Sequence, residues 1–542
     1  MFKDTVDSKK RSSRGLFFSG VLVLTIANIL VKSVGLISKI ALNRIVGSIG
    51  AGYYSSAYEI YAFLYVISTA GLPVAISITV ARSLALERND EVNRIFNTAF
   101  KVFMTMGLAL SGLMILFSSK IADYMGAPET RLCIIGIAPT VFFVCISSCI
   151  RGYFQGHRLM GPTAVSQIIE AICKVGIGVG GAVYAKGRGF DDHVVAAYTI
   201  LGVTFGVFLG MVYLYIKKMR FKARRNEGEI LTSDKANGSK SILSDLLKIA
   251  IPVTVSSSVL SLTTVLDTFM IQRRLMDFGM DVTTVRVYYG DYTSLVVSMF
   301  NLPTILLYPI ANALVPLISA CRESKDDKGQ TRLMGVSIRL IAIIALPCAI
   351  GMSVFSGPIL RLLMFKHSSA ERAAPWLSVA ALSIIFLGVI AITNAFLNSA
   401  GKQRLPIFSM LLGAFVKLSA NYLLIGRFGI IGAPIGTVLC YMLASSFNIY
   451  FVIKNGGVMP SVRGVFVKPF ICSVISVGLA AGLYIILTDF LAEPIVTLLA
   501  IFLAVLVYGI TVIKTKTVSE EEILLAPNGK NIVKILKVVK LL

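Results

Sequence analysis

Long apolar runs separated by short polar segments set the pattern of this chain. A helix that crosses a lipid bilayer needs about 20 mostly apolar residues, and runs of this length recur along almost the whole sequence. The pattern predicts fourteen membrane-spanning helices. Their approximate bounds are 16–46, 55–81, 95–118, 132–154, 162–185, 194–216, 246–272, 288–320, 333–356, 374–397, 405–426, 429–453, 465–487 and 494–513.

The order of these runs repeats along the chain. A shift of 238 residues aligns Gly52 with Gly290, and a shift of 243 residues aligns Lys174 with Lys417. We interpret this as a six-span unit that occurs twice in the same orientation, followed by two further spans. Such a parallel repeat has its pseudo-twofold axis along the membrane normal, and its substrate site is expected between the two halves.

The pattern therefore predicts an all-α membrane protein with 14 transmembrane helices, arranged as two six-helix lobes plus two extra helices. The predicted segments are a cytoplasmic N-terminal tail (1–15), an N-lobe (16–216), a cytoplasmic linker loop (217–245), a C-lobe (246–453), the final pair of spans (454–514) and an amphipathic cytoplasmic tail (515–542).

The composition supports a membrane protein. Hydrophobic residues make up 56% of the 542 residues and charged residues 15%, whereas soluble domains average about 25% charged residues. These values exclude a soluble globular protein, a disordered chain and a secreted disulfide scaffold. The eight cysteines and three histidines do not have the spacing of a zinc site, so we expect no bound metal.

The formal net charge of +24 comes mainly from loops on one side of the predicted membrane. Because cytoplasmic loops carry an excess of Lys and Arg, this side is interpreted as cytoplasmic, and it holds both termini. The same charges are expected to meet anionic lipid of the inner leaflet. Nucleic-acid binding is the weaker alternative, because the charge is spread over many segments.

Several ionisable side chains lie inside the predicted spans. Each would cost at least about 2.5–3.5 kcal/mol if it faced lipid at the middle of a helix, so we expect them to line a watery substrate cavity. They are Lys32, Lys39, Arg44, Glu59, Glu170, Lys174, Asp267 and Lys417, with Arg339 nearer the cytoplasmic surface. Basic residues predominate, which favours an anionic substrate and above all phosphate groups.

Three of these residues allow other interpretations. Arg44 lies near a span end, where its side chain can extend to the interface instead. Glu170 and Lys174 are four residues apart and can pair within one helix. Asp267 is expected either to bind a coupling cation or to hold a cavity lysine in place.

Helix-breaking residues occur at matching places in the two halves. Span 2 carries Gly71 and Pro73, and Pro309 in span 8 aligns with Gly71 at the shift of 238 residues. Interruptions at corresponding positions point to the transport pathway and predict a gating role. The alternative is an ordinary kink, which membrane helices tolerate.

The sequence lacks the motifs of common enzymes and ATP-driven pumps. It has no GxxxxGK[ST] or HExxH motif, and its acidic residues do not form a recognisable pair of catalytic carboxylates. We therefore expect a protein that is not an enzyme and has no cofactor, with coupling to Na⁺ or H⁺ left open.

Four segments resemble a known group, the multidrug/oligosaccharidyl-lipid/polysaccharide (MOP) exporter superfamily. They are LVKSVGLISKIALNRIVG, which ends at Gly47, AGLPVAIS (70–77), CIRGYFQGHRLMGPTAVSQIIE (149–170) and Leu266-Asp267-Thr268. The chain is most similar to the polysaccharide-transporter branch of Gram-positive bacteria, with stage V sporulation protein B-like and MurJ-like lipid II flippases. The resemblance implies that Lys32, Lys39 and Arg44 meet a diphosphate, and that spans 13 and 14 form a groove for a lipid tail.

The resemblance implies a flippase in the bacterial plasma membrane. It would move an undecaprenyl-diphosphate-linked saccharide, first of all the peptidoglycan precursor lipid II, from the inner to the outer leaflet by alternating access. Cell-wall synthesis proteins are the expected partners. The alternatives are an exporter of teichoic-type or other polysaccharide repeat units, a drug/cation antiporter of the same fold, and a non-transporting cell-envelope scaffold.

Overall fold

The computed structural model describes residues 31–515 and 517, without 32, 33, 36, 37, 39, 40, 87, 158, 227–238, 325, 364–366, 457–462 and 516. Every regular element in these described residues is helical, which confirms the all-α class. The predicted N-terminal tail, the first half of span 1 and the amphipathic C-terminal tail lie outside the described residues, apart from residues 515 and 517.

The chain divides into two compact units. The first contains the described residues up to Met276 and Met280–Gly290. Its helices are α1 (41–69), α2 (Gly71–Ala85), α3 (Asn89–Leu116), α4 (Ser118–Tyr124), α5 (Arg131–Gly156), α6 (Gly161–Gly187), α7 (Asp192–Asn226), α8 (Ser239–Asp277) and most of α9 (Val282–Asp291).

The second unit contains Asp277–Gly279 and the chain from Asp291 onwards. It begins with the π-helical turn Tyr292–Val296, and a second such turn, Arg463–Val467, precedes α18. Its helices are α10 (Val297–Phe300), α11 (Thr304–Glu323), α12 (Asp327–Val354), α13 (Ser356–Leu363), α14 (His367–Ala381), α15 (Ser383–Ser399), α16 (Arg404–Phe428), α17 (Gly432–Lys454), α18 (Lys468–Leu487) and α19 (Glu493–Lys514).

Ten helical stretches among the described residues are long and apolar enough to cross a membrane. Two of them extend over two predicted spans each: Ala41–Leu84 contains the end of span 1 and all of span 2, and Arg404–Lys454 contains spans 11 and 12. Within the first, Gly47 has a φ of +75°. A regular α-helix does not accommodate this left-handed conformation, so the helix is interrupted where span 1 was predicted to end. The chain is a multi-pass membrane protein, while the count of fourteen spans stays a prediction.

A central helix organises the core of each unit. In the first unit, α5 packs on α2, α3 and α7, and its side chains Ile134, Ile137 and Phe154 are fully buried. In the second, α15 packs on α11, α12 and α17. Helices such as α3 leave large apolar side chains exposed, among them Leu108 and Leu116. Lipid is the solvent in which such a surface is stable.

Glycines line the closest helix pair of each unit. A Cβ on Gly202 of α7 would overlap the backbone of Gly178 on α6, and a Cβ on Gly413 of α16 would lie 2.7 Å from the carbonyl oxygen of Cys440 on α17. Small residues let helix backbones approach in this way. The fifth and sixth predicted spans of both halves therefore form the same kind of tight hairpin.

Within the second unit, an ion pair and a hydrogen bond join α13 to the final predicted pair of spans, α18 and α19. The Arg361 side chain on α13 donates through Nε to Glu493 Oε1 on α19 at 2.6 Å, and the Tyr484 hydroxyl on α18 donates to the same oxygen at 2.8 Å. One carboxylate thus joins three helices at one end of this unit.

Helix α8 packs with the first unit. Its residues Ile242, Leu246 and Ala250 belong to one apolar cluster with residues of α2, α3 and α5, whereas the sequence repeat assigns this helix to the second half. The two units are defined by contacts between residues, whereas the two lobes are defined by the sequence repeat. The units therefore do not test the lobe boundaries, which remain a prediction.

The close α6–α7 contact can be tested with Gly202→Ala. The added methyl group would meet the Gly178 backbone, so we expect the free energy of unfolding to fall by about 1–3 kcal/mol. Gly180→Ala on α6 is the matched control, because nothing lies within 4 Å of a Cβ at that position. Thermal unfolding in detergent compares the two, and equal midpoints would contradict the proposed steric constraint.

Candidate functional site

The structure places most of the predicted site residues, but not all of them. Lys32 and Lys39 lie outside the described residues. The first unit holds Arg44, Glu59, Gly71, Pro73, Glu170, Lys174 and Asp267, and the second holds Lys417 and Pro309. Three of the first group, Glu170, Lys174 and Asp267, form the polar regions described below together with their neighbours.

One face of α6 carries Ser166, Glu170 and Lys174. Their spacing of four residues places them one above the other on the helix. Arg151 reaches this face from the last part of α5. Its Nε and Nη2 donate to Ser166 Oγ at 3.2 and 3.1 Å, and its Nη2 donates to Glu170 Oε1 at 2.5 Å.

The Arg151–Glu170 ion pair lies inside the helix bundle, where the Arg151 side chain is 7% exposed and that of Glu170 16%. A carboxylate at this depth needs a cation and further hydrogen bonds to be stable. The pairing with Lys174 within α6, which the sequence allowed, is therefore replaced by a pairing between helices.

Two glycines of α7 make room for Glu170. A Cβ on Gly210 would lie 2.8 Å from Glu170 Oε1, and one on Gly206 would lie 2.8 Å from the Glu170 carbonyl oxygen. The same tight α6–α7 packing therefore holds this carboxylate against Arg151.

Lys174 lies one turn beyond Glu170 and contacts an aromatic row on α1. Its ammonium is 4.4 Å from the ring centre of Tyr58 and 3.4 Å from the Tyr58 hydroxyl. Cations are attracted to aromatic faces at this distance. The Lys174 side chain is only half-buried.

The aromatic row consists of four tyrosines on one face of α1. Tyr54, Tyr58, Tyr61 and Tyr65 follow at spacings of four, three and four residues, and successive ring centres are 5.6, 5.5 and 5.8 Å apart. Tyr54 and Tyr61 are buried, while Tyr58 and Tyr65 are half-buried. The sequence analysis missed this row, although the spacing alone would have found it.

Close packing between helices explains the residue types of the RGYFQG segment at 151–156. A Cβ on Gly152 would lie 2.8 Å from the Pro73 carbonyl oxygen, and one on Gly156 would lie 2.7 Å from the Val80 side chain. The two glycines therefore allow α5 to cross α2 closely. Between them, the Tyr153 ring packs against Phe96 with 5.3 Å between ring centres.

A second polar region involves the C-terminal part of α8 and helix α9. Asp267 is buried, and the neighbouring Thr268 hydroxyl accepts a hydrogen bond from the Tyr289 hydroxyl at 2.9 Å. One turn further on, Gln272 donates through Nε2 to Ser56 Oγ at 3.2 Å. Asp267 is thus a buried residue of the first unit, on a part of α8 whose neighbouring side chains form hydrogen bonds with α9 and α1.

The other predicted positions are more dispersed. Arg44 is exposed, Glu59 is half-buried, and Lys417 on α16 is half-buried in the second unit. Gly71 begins α2, and a Cβ there would overlap the Ala250 carbonyl oxygen. Pro73 is buried, and only the backbone of Pro309 is described, within α11. The roles of all these residues in a cavity or gate stay predictions.

The second unit has a partly buried ion pair that was not predicted from the sequence either. Arg372 on α14 donates through Nη2 to Asp291 Oδ2 at 2.8 Å, and the Asp291 side chain is fully buried. Asp291 directly precedes the π-helical turn Tyr292–Val296, a feature often found at functional sites. Asp291 and Arg151 both lie near predicted span ends, where they resembled interfacial charges.

Two family models match the sequence. The model described as "Polysaccharide biosynthesis protein" matches residues 17–321, and the model described as "MatE" matches residues 292–446. The first match covers more than half of the chain.

Two curated relatives and one solved structure are similar over most of their length. Stage V sporulation protein B of Bacillus subtilis (strain 168) is 25% identical over 442 residues, 81% of this chain and 84% of the relative. Lipid II flippase MurJ of the same organism is 24% identical over 454 residues, 81% of this chain and 82% of the relative. A structure of lipid II flippase MurJ in an inward closed conformation aligns with a TM-score of 0.70 and 16% identity, over 90% of this chain and 98% of that chain.

A double-mutant cycle can test the Arg151–Glu170 pair. Because Glu170→Leu leaves a buried guanidinium without its carboxylate, we expect it to lower the free energy of unfolding by about 3–5 kcal/mol. Combining it with Arg151→Met should recover most of the loss. The exposed pair of Lys186 and Asp192, 2.8 Å apart, is the control, and Lys186→Met there should cost at most about 1 kcal/mol. A double variant less stable than Glu170→Leu would contradict the assignment.

Proposed function

The chain belongs to the polysaccharide biosynthesis protein family, within the MOP superfamily of transporters and flippases, and from this membership we propose that it flips a polyprenyl-diphosphate-linked saccharide across the bacterial cell membrane. The proposed direction is from the inner to the outer leaflet, and the first candidate substrate is lipid II. Support for this substrate comes from the relatives, one of which carries lipid II flippase in its name.

The observation that carries the proposal is the charge balance on α6. Glu170 is held by Arg151 at 2.5 Å, so this carboxylate serves the ion pair, whereas Lys174 extends one turn further to the ring of Tyr58. The three side chains together carry one net positive charge. A half-buried ammonium beside tyrosine hydroxyls suits a phosphate oxygen, which accepts strong charge-assisted hydrogen bonds.

The proposed mechanism uses the cations as a counter-charge for the headgroup. Lys32, Lys39 and Lys174 would bind the diphosphate and the attached sugar, while the polyprenyl tail stays in lipid. Several cations in a cavity of low dielectric constant repel one another, and a bound diphosphate would relieve that repulsion. The filled cavity would then favour closure on the cytoplasmic side, and opening to the outside would follow.

The energy source is part of the same proposal. We expect entry of Na⁺ or H⁺, or the membrane potential, to return the empty protein to its inward-open state, with Asp267 as the residue that responds to the ion. The termini are proposed to be cytoplasmic, where the basic tails would meet anionic lipid, and cell-wall synthesis proteins are the proposed partners. No covalent chemistry is needed, in keeping with a protein that is not an enzyme.

A drug/cation antiporter is the second candidate, because the MatE model matches residues 292–446. Such a protein would need a cavity that attracts cations. The excess of basic residues at the predicted site, and the engagement of Glu170 by Arg151, favour an anionic substrate instead.

Removal of the cavity cations is the first test of the proposal. We expect Lys174→Ala to slow flipping in proteoliposomes roughly tenfold, because one charge-assisted hydrogen bond contributes about 1.5–3 kcal/mol. Lys32→Ala and Lys39→Ala should have similar or larger effects. Lys186→Ala removes the same charge from an exposed position and should leave the rate unchanged. Full activity in all three cavity variants would refute the anionic cavity.

A substrate panel is the second test. Proteoliposomes would contain fluorescent lipid II, a polyprenyl-diphosphate with a different saccharide, or a polyprenyl-monophosphate sugar. We expect both diphosphates to move and lipid II to move fastest, because the extra phosphate adds charge for the cavity lysines. Preferential movement of an organic cation would support the antiporter instead.

A further inference from the structure

Two glycines bring the backbones of α1 and α9 into direct contact in the first unit. A Cβ on Gly52 would lie 2.9 Å from the Arg286 carbonyl oxygen and 3.6 Å from the Gly290 Cα. A Cβ on Gly290 would overlap the Ser48 carbonyl oxygen and would lie 2.9 Å from the Gly52 nitrogen. Only residues without a side chain fit at this crossing.

The contact is reciprocal under the sequence repeat. The shift of 238 residues that aligns Gly52 with Gly290 also aligns Ser48 with Arg286. Gly290 meets the Ser48 carbonyl, and Gly52 meets the carbonyl of the residue that corresponds to Ser48. An exchange of this kind, in which each partner uses the same patch, is the signature of a twofold contact.

Residues related by a twofold axis can touch their own counterparts only close to that axis. The axis of the repeat therefore passes within a few ångström of Gly52 and Gly290. In a parallel repeat the substrate pathway lies around this axis. Gly52 lies in the predicted extracellular segment 47–54, and Gly290 closely follows the predicted extracellular segment 273–287. We propose that the Gly52–Gly290 crossing is the outer gate of the pathway, closed in this structure.

Side chains around the crossing would hold the gate shut. Arg286 on α9 donates through Nη2 to Glu129 Oε2 at 2.5 Å, and its guanidinium carbon is 5.2 Å from the ring centre of Tyr53. Gln272 on α8 donates to Ser56 on α1 at 3.2 Å. These polar contacts join α8 and α9 to α1 and to the start of α5, and we call them the latch.

The latch has the chemistry of a reversible contact. The Glu129 side chain is 40% exposed, so water can take the place of Arg286 when the pair separates, while Arg286 keeps its contact with the Tyr53 ring. Neither partner of the Arg151–Glu170 pair is more than 16% exposed. The gate can therefore open at Arg286 without disturbing the ion pair inside the bundle.

The experiment measures access to the gate from outside. Ser55 lies three residues beyond Gly52 on α1, is 6% exposed and is not part of the latch, so a Ser55→Cys reporter should react slowly with a membrane-impermeant thiol reagent added to intact cells. Adding Gly290→Ala should force the crossing apart, and adding Glu129→Gln should weaken the latch. We expect each to raise the labelling rate roughly tenfold, as the open population grows.

The controls separate gating from damage. Gly187→Ala removes a glycine of the last turn of α6, where nothing lies within 4 Å of a Cβ, and it should leave the reporter protected. The exchange of Glu129→Arg with Arg286→Glu should restore the protection that Glu129→Gln removes. Protein without the Ser55→Cys change gives the background of the native cysteines.

A reporter that stays protected in both Gly290→Ala and Glu129→Gln would overturn the gate. If Gly290→Ala does not fold, the labelling rate of Glu129→Gln decides. A charge exchange that labels as fast as Glu129→Gln would overturn the latch. The assay needs no substrate, so its result is independent of which lipid the protein moves.

Discussion

A charge placed at bilayer depth must meet an opposite charge, a polar side chain or water, and this constraint shapes the first unit. Arg151 and Glu170 satisfy each other across two helices, and the helices around them are built to permit it. Gly206 and Gly210 bring α7 close to Glu170, and Gly152 brings α5 close to α2. The ion pair therefore depends on the helix crossings.

The satisfied pair also determines which charge is left for function. Lys174 is on the same face of α6 as Glu170, but it extends to the Tyr58 ring. A cation held by an aromatic face keeps much of its ability to bind an anion, because the ring supplies no negative charge of its own. Structural and substrate-binding roles are thus divided between neighbouring turns of one helix.

The fold class could be predicted from the sequence, because apolar run length and the distribution of basic residues are local properties. The candidate site was accessible only in part. Glu170 and Lys174 are recognisable as unusual residues in the sequence, since any charge inside a span is costly. The pairing of Glu170 with Arg151 cannot be predicted from the sequence, because it depends on how α5 crosses α6. Arg286 and Glu129 were not recognised at all, since charges in predicted loops are common and only the folded chain brings these two together.

The reciprocal crossing at Gly52 and Gly290 has a consequence for symmetry. In a homodimer of six-helix subunits, any change to such a contact would appear on both sides at once. A single chain that contains both copies is free to differentiate them. Here Ser48 occupies one side of the crossing and Arg286 the other, so an ion pair is formed on one side of a nearly symmetric contact. Because both copies of the repeat are in one chain, the Ser48 side of the crossing can keep its backbone packing, while the Arg286 side responds to the ionic strength of its surroundings.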